Sequence, residues 1–152
     1  MALRKILTTK EEHLLRRKSK EVSCFDQKLK ELVDDMKETM ANADGAGLAA
    51  PQIGILKRVI ICSLNNKVVE LINPRIIKQS KEKVEDIEGC LSVPSKRGYV
   101  ERPFEVTVIA QDVNGNKVEV TGKEYGARVL CHEIDHLDGV LYTDKASKIT
   151  DI

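Results

Sequence analysis

Apolar residues recur along this chain with two different periods, and the changes of period divide it into segments. Leu29, Leu32, Val33, Met36 and Met40 fall on one helical stripe, with Asp26 just ahead as an N-capping carboxylate. The spacing predicts a helix that stops near Asp44-Gly45. The middle of the chain then reads as short strands. Arg58-Val-Ile-Ile-Cys-Ser-Leu64 is rich in β-branched residues, Asn65-Asn66 looks like a turn, and Val68 to Ile72 returns as a partner. Phe104 to Ala110 and Lys117 to Thr121 alternate on either side of the hairpin signal Asn114-Gly115. A second helical pattern covers Glu124 to Leu137 and is closed by Asp138-Gly139. Helix, antiparallel strands and helix predict an α+β fold, with residues 1–152 as one domain.

Composition narrows the range of functions. The net charge of +1 gives no general attraction to nucleic acid or anionic lipid. No apolar run approaches the roughly 20 residues of a membrane span. The opening Met1-Ala-Leu-Arg-Lys-Ile-Leu7 turns charged too soon for a signal peptide, so a cytoplasmic protein is expected. Three Tyr, two Phe and no Trp offer no stacking platform for bases or sugars. Cys24, Cys62, Cys90 and Cys131 form no CxxC pair, and no disulfide is expected.

Chemistry concentrates in His132-Glu133-Ile134-Asp135-His136, a match to H-E-x-x-H. Positions i and i+4 of a helix lie about 40° apart around its axis, so both imidazoles can reach one metal ion. Glu133 projects beside them, where a carboxylate can move a proton. Leu130, Ile134, Leu137 and Ala127 occupy the opposite side. The motif alone is equally compatible with two exposed histidines near a helix end, and a third ligand has to decide. His13, among charged residues, reads as exposed. Cys131 points about 100° away from His132 and, like Cys24 and Cys62, reads as a small buried apolar residue. Cys90 follows the flexible Gly89 in Glu88-Gly-Cys-Leu-Ser92, at the end of a strand-like stretch. Two imidazoles and a thiolate leave one tetrahedral position open, as a catalytic ion requires.

Gly45-Ala-Gly-Leu-Ala-Ala-Pro-Gln52 lacks the spacing of a phosphate-binding loop. Its glycines would let a strand edge meet another extended backbone, and the Gln52 amide N–H could polarise a carbonyl oxygen. A tight loop packed with small residues is the alternative.

Taken in order, Gly45–Gln52, Glu88–Ser92 and His132–His136 resemble the three signature motifs of peptide deformylases, and the likeness spans nearly the whole chain. The resemblance implies small antiparallel sheets around a central metal-binding helix. It implies removal of the formyl group from the N-terminal formyl-methionine of newly made proteins, with water on the metal attacking the formyl carbon and formate released. The implied metal ligands are Cys90, His132 and His136, with Fe²⁺ the usual physiological ion and Zn²⁺, Ni²⁺ or Co²⁺ able to take its place. Glu133 is the implied general acid/base, and the Gln52 side chain and Leu91 backbone N–H the implied oxyanion donors. Substrate is expected to add as a strand at Gly47 and Gly89, with Ala46, Leu91 and Val129 against the methionine.

Some positions depart from common members. Cys131 stands where glutamine is frequent, and Ala46 is at the small end of what its slot accepts. The short link from Gln52 to Glu88 resembles the compact bacterial type. With the sequence ending at Ile152, docking on the ribosome through a long C-terminal helix is not expected, although transient proximity to the ribosome is. The resemblance further suggests a monomer without direct contact to nucleic acid or membrane. Two rival readings are an H-E-x-x-H metallopeptidase, which would want a third His or Glu downstream, and a metal-binding module without catalysis, which would need neither Glu133 nor Gln52.

Overall fold

In the computed structural model, which describes residues 2–152, the apolar run at 59–64 is a strand with both faces covered. A 3-10 turn (Thr9–Glu11) and the short helix α1 (Glu12–Leu15) precede the long helix α2 (Gln27–Asn42). Strands β1 (Gly47–Ala49), β2 (Val59–Leu64) and β3 (Lys67–Gln79) follow, then β4 (Lys83–Cys90) and β5 (Val93–Pro103). Strands β6 (Glu105–Gln111) and β7 (Lys117–Lys123) lead into helix α3 (Tyr125–Leu137), α4 (Tyr142–Lys145) and β8 (Lys148–Asp151). One antiparallel sheet has the order β1-β2-β3-β6-β7 and a second the order β4-β5-β8, so the architecture is α+β as expected. Among the described residues no helix is long and apolar enough to cross a membrane.

Local chemistry explains the boundaries. Asp26 Oδ1 accepts from the Leu29 N–H at 3.0 Å and starts α2. Asn65 and Asn66, at φ 52° and 63°, make the paired left-handed turn that suits the twist of a tight hairpin. Asp112 Oδ1 accepts from the N–H groups of Asn114 and Asn116, and Gly115 sits at φ 84° in the β6–β7 turn. The second helix begins at Tyr125 rather than Glu124, because Glu124 has φ 54°, which a right-handed helix excludes.

The sequence pattern missed β5 and β8 and gave no bounds to β1 or β4, which it caught only as a strand edge at Gly45 and Gly47 and a strand-like stretch ending at Cys90. Glu88 is the only fully buried residue of β4 and β8 has none, so no apolar alternation marks these strands. Cys24 was expected to be buried and is exposed: it belongs to none of the three buried apolar clusters, and its thiol donates to Asp26 at 3.3 Å. Cys62 and Cys131 are buried and His13 is exposed, as the sequence suggests.

Two apolar cores meet at the larger sheet. Val59, Ile61 and Leu48 pack with Leu29, Val33, Met36 and Met40 of α2. Ile60, Cys62, Val106 and Val108 pack with Ala127, Leu130, Ile134 and Leu137 of α3. Successive residues of β2 thus serve opposite faces, which is why the strand is apolar throughout instead of alternating. Helix α3 lies between the two sheets, touching β1, β2 and β7 on one side and β5 on the other. Its polar stripe consequently faces the protein interior and not solvent.

The approach of α3 to β7 depends on Gly122. A Cβ there would stand 2.8 Å from the Gly126 carbonyl carbon and from Leu130 Cδ1. At Gly126 a Cβ would meet only Leu64 Cδ2, at 3.6 Å. Gly122→Ala is therefore expected to destabilise the fold by about 1–3 kcal/mol through overpacking. Gly126→Ala should be neutral or add up to about 1 kcal/mol by stiffening the helix. Thermal or urea unfolding of the two variants checks this, and equal effects would remove the close crossing as the reason for the glycine.

Candidate metal centre and active site

Edge strands form the site. β1 is one edge of the larger sheet and β4 one edge of the smaller, and a cavity of about 500 Å³ opens beside both. Ala46, Gly47, Gln52, Gly89, Cys90, Leu91, Val129, His132 and Glu133 all line it. His136, only 1% exposed, does not line it and sits deeper. Tyr125, Ile87, Arg97 and Ile152 complete the mouth, and nothing in the sequence pattern singled them out.

Three side chains converge at the floor. One ligand atom each from Cys90, His132 and His136 lies within 4.8 Å of the others, and Cys90 Sγ is 3.3 Å from His136 Nε2. Metal–ligand bonds of about 2.0–2.3 Å in a tetrahedron place ligand atoms roughly 3.3–3.8 Å apart, so the donor set fits one ion. The exposed-histidine alternative is excluded, since both imidazoles are buried.

Glu88 fixes the first imidazole. It is two residues before Cys90 on β4, so the strand's alternation turns both side chains inward around the exposed Gly89. Glu88 Oε1 is 2.9 Å from His132 Nδ1. An ionised carboxylate only accepts, so Nδ1 carries the proton and Nε2 is left to bind a metal. Arg102 grips Glu88 through both oxygens at 2.8 and 3.0 Å, and Arg128 Nη1 donates to Oε2 at 2.7 Å. Burial alone would raise the Glu88 carboxyl, but the hydrogen bonds from His132 and Arg102 and the charge of Arg102 outweigh it and hold it at about 2. Arg128 also donates to the carbonyls of Val100 and Val84, tying α3 to both strands beneath it. Arg102 Nη1 extends the network to Asp135 at 2.7 Å, which Lys145 meets at 3.0 Å. Sequence reading gave Glu88 no role and missed both arginines. Arg128, one helical turn before His132, was a legible signal; Arg102, on another element, was not.

Glu133 is placed by a missing side chain. A Cβ at Gly47 would lie 2.6 Å from Glu133 Oε2 and 2.8 Å from its Cγ, so β1 and α3 can carry these two residues side by side only because one is glycine. Glu133 Oε1 is buried without a hydrogen-bond partner. Burial raises this carboxyl to about 7, although the neighbouring His132 works against the rise. Buried thiol and imidazole behave differently: desolvation lifts Cys131 to about 11 and pushes His136 well below its ordinary value, favouring the neutral imidazole that binds metals.

Gln52 sits in a 3-10 turn (Ala50–Ile53) directly after β1. Its Oε1 accepts from the Ala49 N–H at 2.9 Å, while Nε2 donates to Ser92 Oγ at 3.0 Å and stands 3.7 Å from Cys90 Sγ. Leu91 follows Cys90 in the turn between β4 and β5.

Comparison with known proteins agrees with this geometry. The family profile of polypeptide deformylases matches residues 3–151. A peptide deformylase of Finegoldia magna is 50% identical over 153 aligned positions, covering 99% of this chain and 94% of that protein. One from Caldicellulosiruptor bescii is 53% identical over 145 positions, covering 95% and 86%. Among solved structures, the peptide deformylase of Thermotoga maritima superposes with a TM-score of 0.93 at 39% identity, over 97% of this chain and all of that one. The deformylase of Ehrlichia chaffeensis in complex with actinonin gives the same TM-score and identity, over 97% and 91%. Three motifs from separate parts of the sequence thus meet at one cavity in a fold shared nearly end to end, and the chain belongs to the polypeptide deformylase family.

Proposed function

We propose that this chain performs its deformylase chemistry, hydrolytic removal of the formyl group from N-formyl-methionyl peptides, in the cavity between β1 and β4. The convergence of Cys90, His132 and His136 beneath that cavity carries the reading. These three residues would hold a divalent ion, with Fe²⁺ the expected physiological metal and Zn²⁺, Ni²⁺ or Co²⁺ as substitutes. When bound, such an ion supplies Lewis-acid polarisation and a nucleophilic water near neutral pH.

The protein's own groups have distinct tasks. Glu133, which lines the cavity and has one oxygen buried without a partner, takes a proton from the attacking water and returns it to the departing amine. The Gln52 amide and the Leu91 N–H donate to the oxygen on which charge develops. The open edges at Gly47 and Gly89 pair with the substrate main chain, and Ala46, Leu91 and Val129 contact the methionine side chain. Main-chain pairing ignores sequence, which suits substrates as varied as nascent proteins. We read residues 1–152 as one domain that works as a cytoplasmic monomer, meeting nascent chains near the ribosome without binding nucleic acid or membrane itself.

Formate release from a formyl-Met peptide by anaerobically purified, Fe²⁺-loaded protein tests the activity. Rapid release is expected, and none from folded, loaded protein would overturn the reading. Glu133→Ala should keep its metal and lose orders of magnitude in kcat, whereas equal loss of metal and activity would assign Glu133 to metal binding. Glu88→Gln keeps the shape but gives up the charge that orients His132. It should weaken Zn²⁺ retention about 10–100-fold in chelator competition, and unchanged retention would show that His132 needs no such anchor.

A further inference from the structure

We propose that Ser92 is a positioning residue for the reaction: its hydroxyl locks the Gln52 amide so that one N–H is left for the reacting carbonyl oxygen. This rests on the reading of Gln52 as an oxyanion donor. A primary amide has one acceptor oxygen and two N–H donors, and rotating it by 180° exchanges them at little cost in shape. Facing the substrate with its oxygen, Gln52 would repel the developing charge. The Ala49 contact prevents that, and the Ser92 contact, which a hydroxyl could make in either orientation, holds the amide in its plane. The Ala49 N–H is a donor and fixes the oxygen on its own side, at 2.9 Å. Ser92 Oγ, at 3.0 Å, takes one of the two N–H groups. The remaining N–H donates to Cys90 Sγ across a long 3.7 Å contact at the cavity wall, where an arriving carbonyl oxygen, the stronger acceptor, can take it over.

Gln52 and Ser92 are both buried, at 1% and 0% exposure, so water does not compete for these bonds. They sit on separate turns, one after β1 and one between β4 and β5. The amino-terminal segment holds the two turns together: the Leu7 N–H donates to the Gln52 carbonyl at 2.7 Å and the Thr9 N–H to the Ser92 carbonyl at 3.0 Å. Because the backbone pins both turns, loss of the Ser92 hydroxyl frees the amide without moving the turns.

A double-mutant cycle tests this, using holoenzyme and a formyl-Met peptide. Ser92→Ala should lower kcat about tenfold, the worth of one well-placed hydrogen bond, with KM within about twofold. Ser92→Thr, which keeps the hydroxyl, should recover most of the loss. Gln52→Ala should cost about 10²-fold or more, and adding Ser92→Ala to it should cost nothing further. The Gln52 side-chain amide resonances, assigned by their absence in Gln52→Ala, should shift in Ser92→Ala while metal content and melting temperature stay near wild type. A normal kcat in Ser92→Ala, or the same loss with and without Gln52, would overturn the proposal while leaving the Gln52 reading in place. A normal kcat in Gln52→Ala would instead remove the Gln52 reading beneath it. If threonine proves too large and melting falls, the alanine cycle and the amide shift decide alone.

Discussion

The buried carboxylate of Glu88 is the contact on which the site depends. It joins β4, through its own backbone, to β5 by Arg102 and to α3 by Arg128 and His132. Moving one carboxylate and two guanidinium groups out of water costs several kcal/mol per ion, so such a cluster is weak evidence for stability. Its value lies in direction. An apolar interface would let the small sheet slide or rotate on the helix. A bidentate arginine pair and a second arginine capping two strand carbonyls allow one arrangement. The same register that satisfies the charges sets Cys90 beside His136, two residues further along the strand.

Sheet-to-helix docking also explains which parts of the fold the sequence discloses. Helix α2 buries apolar side chains against one face of β2, and β6, with the half-buried valines of β7, turns its own toward α3 on the other, so their periodicity shows in the residue order. The small sheet packs a small apolar cluster of Val93 and Val100 against Leu141 and Tyr142, and its ties to α3 run through Glu88, Arg102 and Arg128, whose partners lie 14 to 44 positions away. No local pattern records such contacts, and its strands read as polar and featureless. Site residues were legible for a different reason. The two histidines and Glu133 announce themselves by helical spacing, and Cys90 by the glycine before it. What supports them, Ser92 under Gln52 and the arginines under Glu88, consists of ordinary residue types with meaning only in three dimensions.

Close backbone approach is the second constraint, and it acts through what is absent. Gly47 stands where any side chain would displace Glu133, while Gly122 admits the N-terminal turn of α3 against β7. Both glycines press the same helix toward the larger sheet, one at its first turn and one beside its third. The helix is thus clamped by steric contact on one side and by charge on the other. That leaves its polar stripe little freedom to reorganise, which is what preorganised electrostatic stabilisation requires.

An active site between two sheet edges carries a hazard, because unpaired strand edges invite any extended chain. Here the edges are short or interrupted. Strand β1 is only three residues long and runs straight into the Gln52 turn, and β4 breaks register between Glu88 and Cys90 before it ends. Beside the cavity each edge therefore offers a few main-chain groups, enough to align a peptide terminus. The same two breaks place the Gln52 amide and the Cys90 thiol at the point where pairing stops. On the proposed reading, a peptide docked on both edges is thus carried to the metal with its first residue leading.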